Sequence, residues 1–431
     1  MTRNVVYKAL SALWLSSVLG ALFAFLLQVT LARNLNVEQY GTFASAFTIT
    51  TLLIPLVGFG VAQFWLKSFG QQGREAFAIV KPSFYVILIN VFVVGGFLFF
   101  WSLIGPHGEL MQMALMFLFL YLCGQVSLEV LAARFQLEER YLHLSLWQTL
   151  PSFIRLIVVM MLVYFLGDAL SLREVVFSVA AVGLVMIILS LVWLLPMLKG
   201  QVDLKGHTQS NGLENPRYNV SNEYSIQSVY QNAWPFGLST LFYLIYFQSD
   251  IVLLQYLVGE KVAGFYNIAF IILAAVLLFP GVIYQRYLLP KMHRWAYHDP
   301  EKFYRVFRKG NGLMLVLGLF AMFITWWLAP YFIPYVFGEK FAPSLLILNV
   351  LAFSIPVLFV ASSYGAILVT QEHIRTKVKL MGSVAVLNLI LNGLLIPQYQ
   401  AMGAAIATLI SNSVLLIFYM LASKKVFRVT E

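Results

Sequence analysis

Charge is what this sequence has least of. Asp, Glu, Lys and Arg make up 11% of its 431 residues, against about 25% in an ordinary soluble domain. With 61% hydrophobic residues and a mean hydropathy of +0.83, that shortage excludes a pair of soluble domains and also a disordered chain. Cysteine is nearly missing as well. The one thiol, Cys123, excludes an internal disulfide and any cysteine-based zinc or iron–sulfur site. Six histidines fall without HExxH or any other ligand spacing, so no metal and no cofactor is expected. There is no nucleophile–base pattern and no glycine-rich phosphate loop. Gly58-Phe59-Gly60 sits inside an apolar run and lacks the strand–turn–helix setting. The chain is therefore not expected to be an enzyme. The net charge of +10 has no basic run set in a soluble fold, so nucleic acid is not an expected partner. The N-terminus does not read as a cleaved signal peptide, because its first apolar stretch is too long.

What is abundant is apolar sequence in lengths that suit a bilayer. A crossing needs about 20 apolar residues of helix. Stretches at 9–31, 42–66, 83–104, 111–133, 144–166, 175–198, 233–257, 265–289, 312–332, 344–369, 380–396 and 404–421 meet that demand. The expected fold class is an all-α polytopic membrane protein with twelve transmembrane helices. Basic residues set its orientation. With a cytoplasmic N-terminus, 23 of the 28 Lys and Arg fall in cytoplasmic segments. Only Arg33, Arg173, Lys261 and Lys340 fall in the opposite loops. Both termini are thus expected in the cytoplasm. Tryptophans such as Trp65, Trp101 and Trp326 lie near helix ends, as interfacial anchors do.

The longest polar interval is rich in Gly, Asn, Ser and Pro and reads as a linker over 199–230. It divides the chain into an N-terminal lobe (1–198, helices 1–6) and a C-terminal lobe (231–431, helices 7–12). The lobes carry traces of a repeat. An offset of 223 residues superposes Leu27–Leu66 on Asp250–Leu289, with Gly41/Gly264, Phe47/Phe270 and Gly58/Gly281 among eight identities. Both copies begin from the same side, the arrangement of parallel repeats about an axis along the membrane normal, which commonly enclose a transport pathway.

Four motifs occur in order along these helices: ARNLNVEQYGTF (32–43), SDIVLLQYLVGEKVAGFYNIAFII (249–272), IPYVFGEKFAPSLLILNVLA (333–352) and LNLILNGLLIPQYQAMGAAIATLISN (387–412). They resemble signatures of the Wzx-type flippases. These form the polysaccharide transporter branch of the multidrug/oligosaccharidyl-lipid/polysaccharide (MOP) exporter superfamily. The resemblance implies two six-helix lobes around a central cavity in the bacterial inner membrane. It also implies a substrate, an undecaprenyl-diphosphate-linked oligosaccharide moved to the periplasmic leaflet by alternating access. Such units feed O-antigen, capsule or exopolysaccharide assembly, with a polysaccharide polymerase as the expected downstream partner. A cation-coupled small-molecule exporter on the same scaffold is the alternative. A glycan ligase would bring a large outer loop, and every outer loop here is short.

Charged side chains inside such helices cost about 2.5–3.5 kcal/mol on insertion scales and so draw attention first. Against a diphosphate, the planar guanidinium of Arg155 is the leading candidate, with Gln125 nearby and Arg286 toward the inner entrance. The competing reading pairs Arg155 with Glu129 or Gln125 structurally, and lets Arg286 snorkel to the interface. Asp250 and Glu129 are candidates for cation or proton coupling, against a plain inter-helix hydrogen bond for Asp250. Pro55 and Pro280 fall within two residues of equivalence in the repeat and are candidate hinges, or simple packing kinks. The basic segment 286–309 is explained by topology and by attraction to anionic membrane lipids.

Overall fold

The computed structural model describes residues 3–202, 204, 225–281, 300–370 and 374–428, and among them there is no strand. The helices are α1 (Arg3–Asn34), α2 (Val37–Gly58), α3 (Val61–Gln72), α4 (Val80–Ile104), α5 (Glu109–Leu137), α6 (Tyr141–Leu166) and α7 (Leu172–Leu198). They continue as α8 (Ile226–Leu257), α9 (Glu260–Gly281), α10 (Pro300–Phe337), α11 (Ser344–Leu351), α12 (Ser354–Thr370) and α13 (Ile374–Arg428). Most of the expected linker, along with Arg286, lies outside the described residues.

Nine described helical segments are long and apolar enough to cross a bilayer, or ten if the bent pair α11–α12 forms one span. Their outer faces carry large apolar side chains left exposed in mid-helix, such as Phe92, Val192 and Phe320. Water would not tolerate so many; hydrocarbon does.

Two expected helices are interrupted, and two more are joined. The stretch at 42–66 is not one helix. It breaks at Phe59 (φ 47°) and Gly60 (φ 74°), between α2 and α3. The stretch at 344–369 bends by 42° between α11 and α12. The last two expected helices run together as α13, with a break at Gln400 (φ 52°, ψ −130°), three residues after Pro397. These are places where left-handed backbone or a missing N–H interrupts the ladder.

Helix starts follow capping chemistry where it is visible. Asn36 Oδ1 accepts from the Gln39 amide at 2.7 Å and so caps α2. Ser171 and Glu174 form a capping box at the start of α7. The repeat is visible in the same junctions: α1 ends at Asn34 and α2 begins at Val37, and 223 residues later α8 ends at Leu257 and α9 begins at Glu260.

The chain forms two compact units, one of Met1–Asn34 with Ile49–Leu241, the other of Leu35–Thr48 with Phe242–Glu431. In the first, α5 packs on α7 and α1 on α6. The α5–α7 approach is closest at Gly124 and Gly183, where a Cβ on Gly124 would come 2.7 Å from the Gly183 carbonyl. In the second, α13 packs on α12 and α12 on α10. There the start of α2 lies against α9 at the repeat-related glycines. A Cβ on Gly41 would overlap the Glu260 carbonyl, and one on Gly264 would sit 3.2 Å from the Gly41 Cα.

Candidate functional site

In the second unit α8, α9 and α13 bring their polar residues to one buried point. Asp250 is 1% exposed. Tyr266 donates its hydroxyl to Asp250 Oδ2 at 2.5 Å, and Asn392 donates Nδ2 to Oδ1 at 2.5 Å. Thr408 donates to Oδ2 as well. Asn392 Nδ2 also lies 3.0 Å from Asn388 Oδ1, which accepts from Ser249 Oγ at 3.1 Å. Two buried atoms of this cluster, Asn392 Oδ1 and Asn388 Nδ2, have no partner among the described residues. Turning the Asn392 amide over would direct an oxygen at Asp250 in place of a donor.

The site thus offers carboxylate, amide and hydroxyl oxygens around one formal negative charge, the donor set of a hard cation. No group of three or more His, Cys, Asp or Glu suited to a metal is found among the described residues. A single negative charge matches a monovalent cation or a proton better than a divalent metal.

Asp250 is legible in the sequence as an in-helix charge, but its partners are not. They come from Tyr266, Asn392 and Thr408, the last two 142 and 158 residues away. A sequence signal did exist for part of this set. Asn388 and Asn392 are four apart in an apolar run, hence on one helix face.

Arg155 lies midway along α6 and is 8% exposed. Its Nε donates to the Pro151 carbonyl at 3.1 Å and a terminal nitrogen donates to Ser152 Oγ at 3.3 Å. The guanidinium carbon stands 5.2 Å from the centre of the Tyr121 ring. These contacts do not involve Glu129 or Gln125. Gln125 is half-buried one turn beyond Tyr121 on α5, and Glu129 is exposed a turn further. Glu129 Oε2 lies 3.8 Å from where Gly58 would carry a Cβ, beside the α2–α3 break. Glu129 belongs to the first unit and Asp250 to the second.

Pro55 sits inside α2, and its carbonyl accepts from the Phe59 amide at 3.0 Å just as the helix ends. The break that follows packs closely on α8: a Cβ on Gly60 would come 2.5 Å from the Gly237 nitrogen. Pro280 is the penultimate residue of α9.

A family described as polysaccharide biosynthesis protein matches residues 6–295, well over half of the sequence, and the chain belongs to that family. The capsular polysaccharide biosynthesis protein CapF of Staphylococcus aureus is 26% identical over 178 residues, 41% of this chain and 44% of CapF. The chain thus spans less than half the length of this relative. Among solved structures, lipid II flippase MurJ in an inward closed conformation superposes with a TM-score of 0.72 at 12% identity, over 96% of this chain and 87% of MurJ. An inward-facing multidrug resistance MATE family transporter of the MOP superfamily gives 0.66 at 15% identity, over 99% and 94%. At such identities these likenesses establish the fold alone. It is the MOP transporter fold, and the chain is a multi-pass membrane protein. The Wzx-type resemblance carried by the four motifs agrees with both family and fold.

Proposed function

We propose that this chain is a flippase that carries an undecaprenyl-diphosphate-linked oligosaccharide across the bacterial inner membrane. One observation carries the reading: a member of a polysaccharide biosynthesis family has the fold of a transporter. A glycan-assembly protein built that way has a lipid-linked intermediate to move, because such intermediates are assembled on one leaflet and polymerised beyond the other. In this reading there is no catalytic step. Twelve spans with both termini cytoplasmic form two lobes, 1–198 and 231–431, joined by the segment 199–230. Surface polymerisation passes to a separate polymerase.

The residues take these roles. Arg155 offers the diphosphate a planar, permanently charged fork, already held over Tyr121 and supported by Gln125 one turn away. Arg286 assists at the inner entrance. Asp250, with Asn388, Asn392 and Thr408, holds the coupling cation or proton, and the unpartnered Asn392 Oδ1 supports this assignment. Glu129 is a second coupling carboxylate, and Pro55 and Pro280 allow their helices to swing.

Deleting the chain from its host tests the proposal. Surface glycan should disappear while the diphosphate-linked unit accumulates in the inner leaflet. Blocking the first sugar transferase should relieve any growth defect, because carrier lipid is no longer sequestered. An exporter of small molecules would leave the glycan intact and change sensitivity to toxic cations. Accumulation of the unit in the outer leaflet would refute the flippase reading.

A further inference from the structure

A cavity of about 540 Å³ lies inside the second unit, between α8, α9, α12 and α13. That is within the range of about 300–1,000 Å³ common to small-molecule sites. Its walls include Tyr243, Tyr246 and Phe247 of α8 and Lys377 and Tyr419 of α13. Gly365 of α12 also lines it, and the Lys377 Nζ is 3.8 Å from where that glycine would carry a Cβ.

Two features set this cavity apart. First, Lys377, in the first turn of α13 where it enters the apolar run, is only partly exposed, yet it has no hydrogen-bond or ion-pair partner among the described residues. A cation held there without a counter-charge is costly. Second, the hydroxyls of Tyr243, Tyr246 and Tyr419 have no protein partner among the described residues either, although Tyr246 and Tyr419 are 7% and 4% exposed. Tyr243 is 41% exposed, and neither the Tyr246 nor the Tyr419 hydroxyl is among the buried atoms left without a partner, so these hydroxyls open onto accessible space. One ammonium and three phenols therefore present unused donors to a single space. Aromatic faces surround the same space: Tyr243 stacks on Phe247 at 5.4 Å and meets Tyr246 edge-on at 5.6 Å.

Donors around one positive charge call for an anion rich in acceptor oxygens. Aromatic walls call for a ring with apolar C–H faces. From this chemistry we infer that the cavity binds a sugar bearing an anionic group, with Lys377 on the anion and Tyr243, Tyr246 and Tyr419 on the ring and its oxygens. The inference rests on the flippase reading for its source. The anion is either the phosphate joining the first sugar to the lipid or an acidic sugar within the glycan. The site is one helical turn from Asp250, since Tyr246 and Asp250 are four residues apart on α8. Filling the cavity would thereby be felt at the cluster proposed to hold the coupling cation.

Equilibrium dialysis of the full chain in detergent, with radiolabelled hexose 1-phosphate, hexuronate and unmodified hexose, tests the assignment. Wild type should bind one anionic sugar saturably and ignore the neutral hexose. Preference for hexose 1-phosphate assigns the lipid-proximal sugar, and preference for hexuronate assigns an acidic residue of the glycan. A charged hydrogen bond is worth about 1.5–3 kcal/mol, so Lys377→Gln should weaken binding about 10- to 100-fold. Gly365→Val fills the space without altering charge, and should also abolish binding if the glutamine variant fails to fold. Absence of saturable binding to wild type, or binding unchanged in both variants, overturns the inference. Its failure is separable from that of the flippase reading. A deletion strain that accumulates the lipid-linked unit, with no sugar bound by the protein, removes only the cavity assignment. Sugar binding in a protein whose deletion spares the glycan removes only the flippase.

Discussion

Replacing Asp250 probes both the packing of the second unit and the proposed cation site. The carboxylate accepts from Tyr266, Asn392 and Thr408. Asp250→Leu would remove all three bonds, but not all three donors would be stranded. Asn392 Nδ2 keeps one proton on Asn388 Oδ1 at 3.0 Å but loses the partner of the other, and the Tyr266 and Thr408 hydroxyls, 3.1 Å apart, can satisfy one of their two protons between them. Two buried donors are left over, at a cost of about 1–3 kcal/mol each. Asp250→Asn is nearer in shape, but it replaces one acceptor by a donor within a ring of donors and should cost a similar amount. A bound cation adds a separate term, RT ln(1 + [L]/Kd), about 2.7 kcal/mol at a hundredfold excess over Kd. The assay is the thermal midpoint of the purified chain in sodium, potassium or choline chloride at equal ionic strength, repeated as a function of pH. The wild-type midpoint should rise with one monovalent cation or with protons, and both variants should lose that dependence. A wild type indifferent to all of them, or an Asp250→Asn variant that keeps the dependence, would refute the assignment.

Other substitutions address the remaining assignments. Arg155→Lys keeps the charge but loses the planar fork, so glycan display should fall to a small fraction of normal at unchanged protein abundance, and Arg155→Ala should abolish it. Full rescue of Arg155→Ala by Glu129→Ala would instead indicate a charge pair between them. Gly41→Ala forces a Cβ into the Glu260 carbonyl, whereas Gly264→Ala meets its nearest atom at 3.0 Å. Overpacking costs about 1–3 kcal/mol. The first variant should therefore lower the thermal midpoint clearly more than the second, and equal midpoints would refute the close approach. Reporter fusions after Gly70, Leu137 and Ser423 should report the cytoplasm. Fusions after Asn36, His107, Asp168, Gly259, Gly338 and Gln400 should report the periplasm, and inversion at two or more sites would rule out the proposed orientation.

Much of the architecture was legible in one dimension, because a bilayer demands what a sequence displays directly. A helix in hydrocarbon must satisfy its own backbone and cover itself with apolar side chains, so its position and approximate length appear as a run of residues. The repeat was legible for a related reason. Gly41 and Gly264 recur at the offset of 223, and both sit where backbones approach closely, so that a Cβ would overlap the Glu260 carbonyl at Gly41 and meet the Val37 carbonyl at 3.0 Å at Gly264. Interruptions within the runs were less visible. Pro55 marks the end of α2, but the turn itself is made four residues later by Phe59 and Gly60, at a contact with Gly237 of α8.

Sequence alone picked out Arg155 and Asp250, since a charge within an apolar helix is conspicuous wherever it points. What surrounds each charge depended on the tertiary structure. Asp250 finds its partners on α9 and α13, and the choice of Thr408 over nearer hydroxyls follows from how those helices pack. Arg155 meets Tyr121 of α5 and Pro151 and Ser152 of its own helix, an arrangement its place in the sequence does not display. Lys377 makes the contrast most plainly. In the sequence it is one of many basic residues flanking an apolar run, indistinguishable from a topology signal. In the fold its ammonium borders a cavity among tyrosines drawn from two helices. Composition and spacing mark which segments are apolar enough to enter a membrane. Which side chains share a cavity once they are there is settled only by helix rotation and close approach in three dimensions.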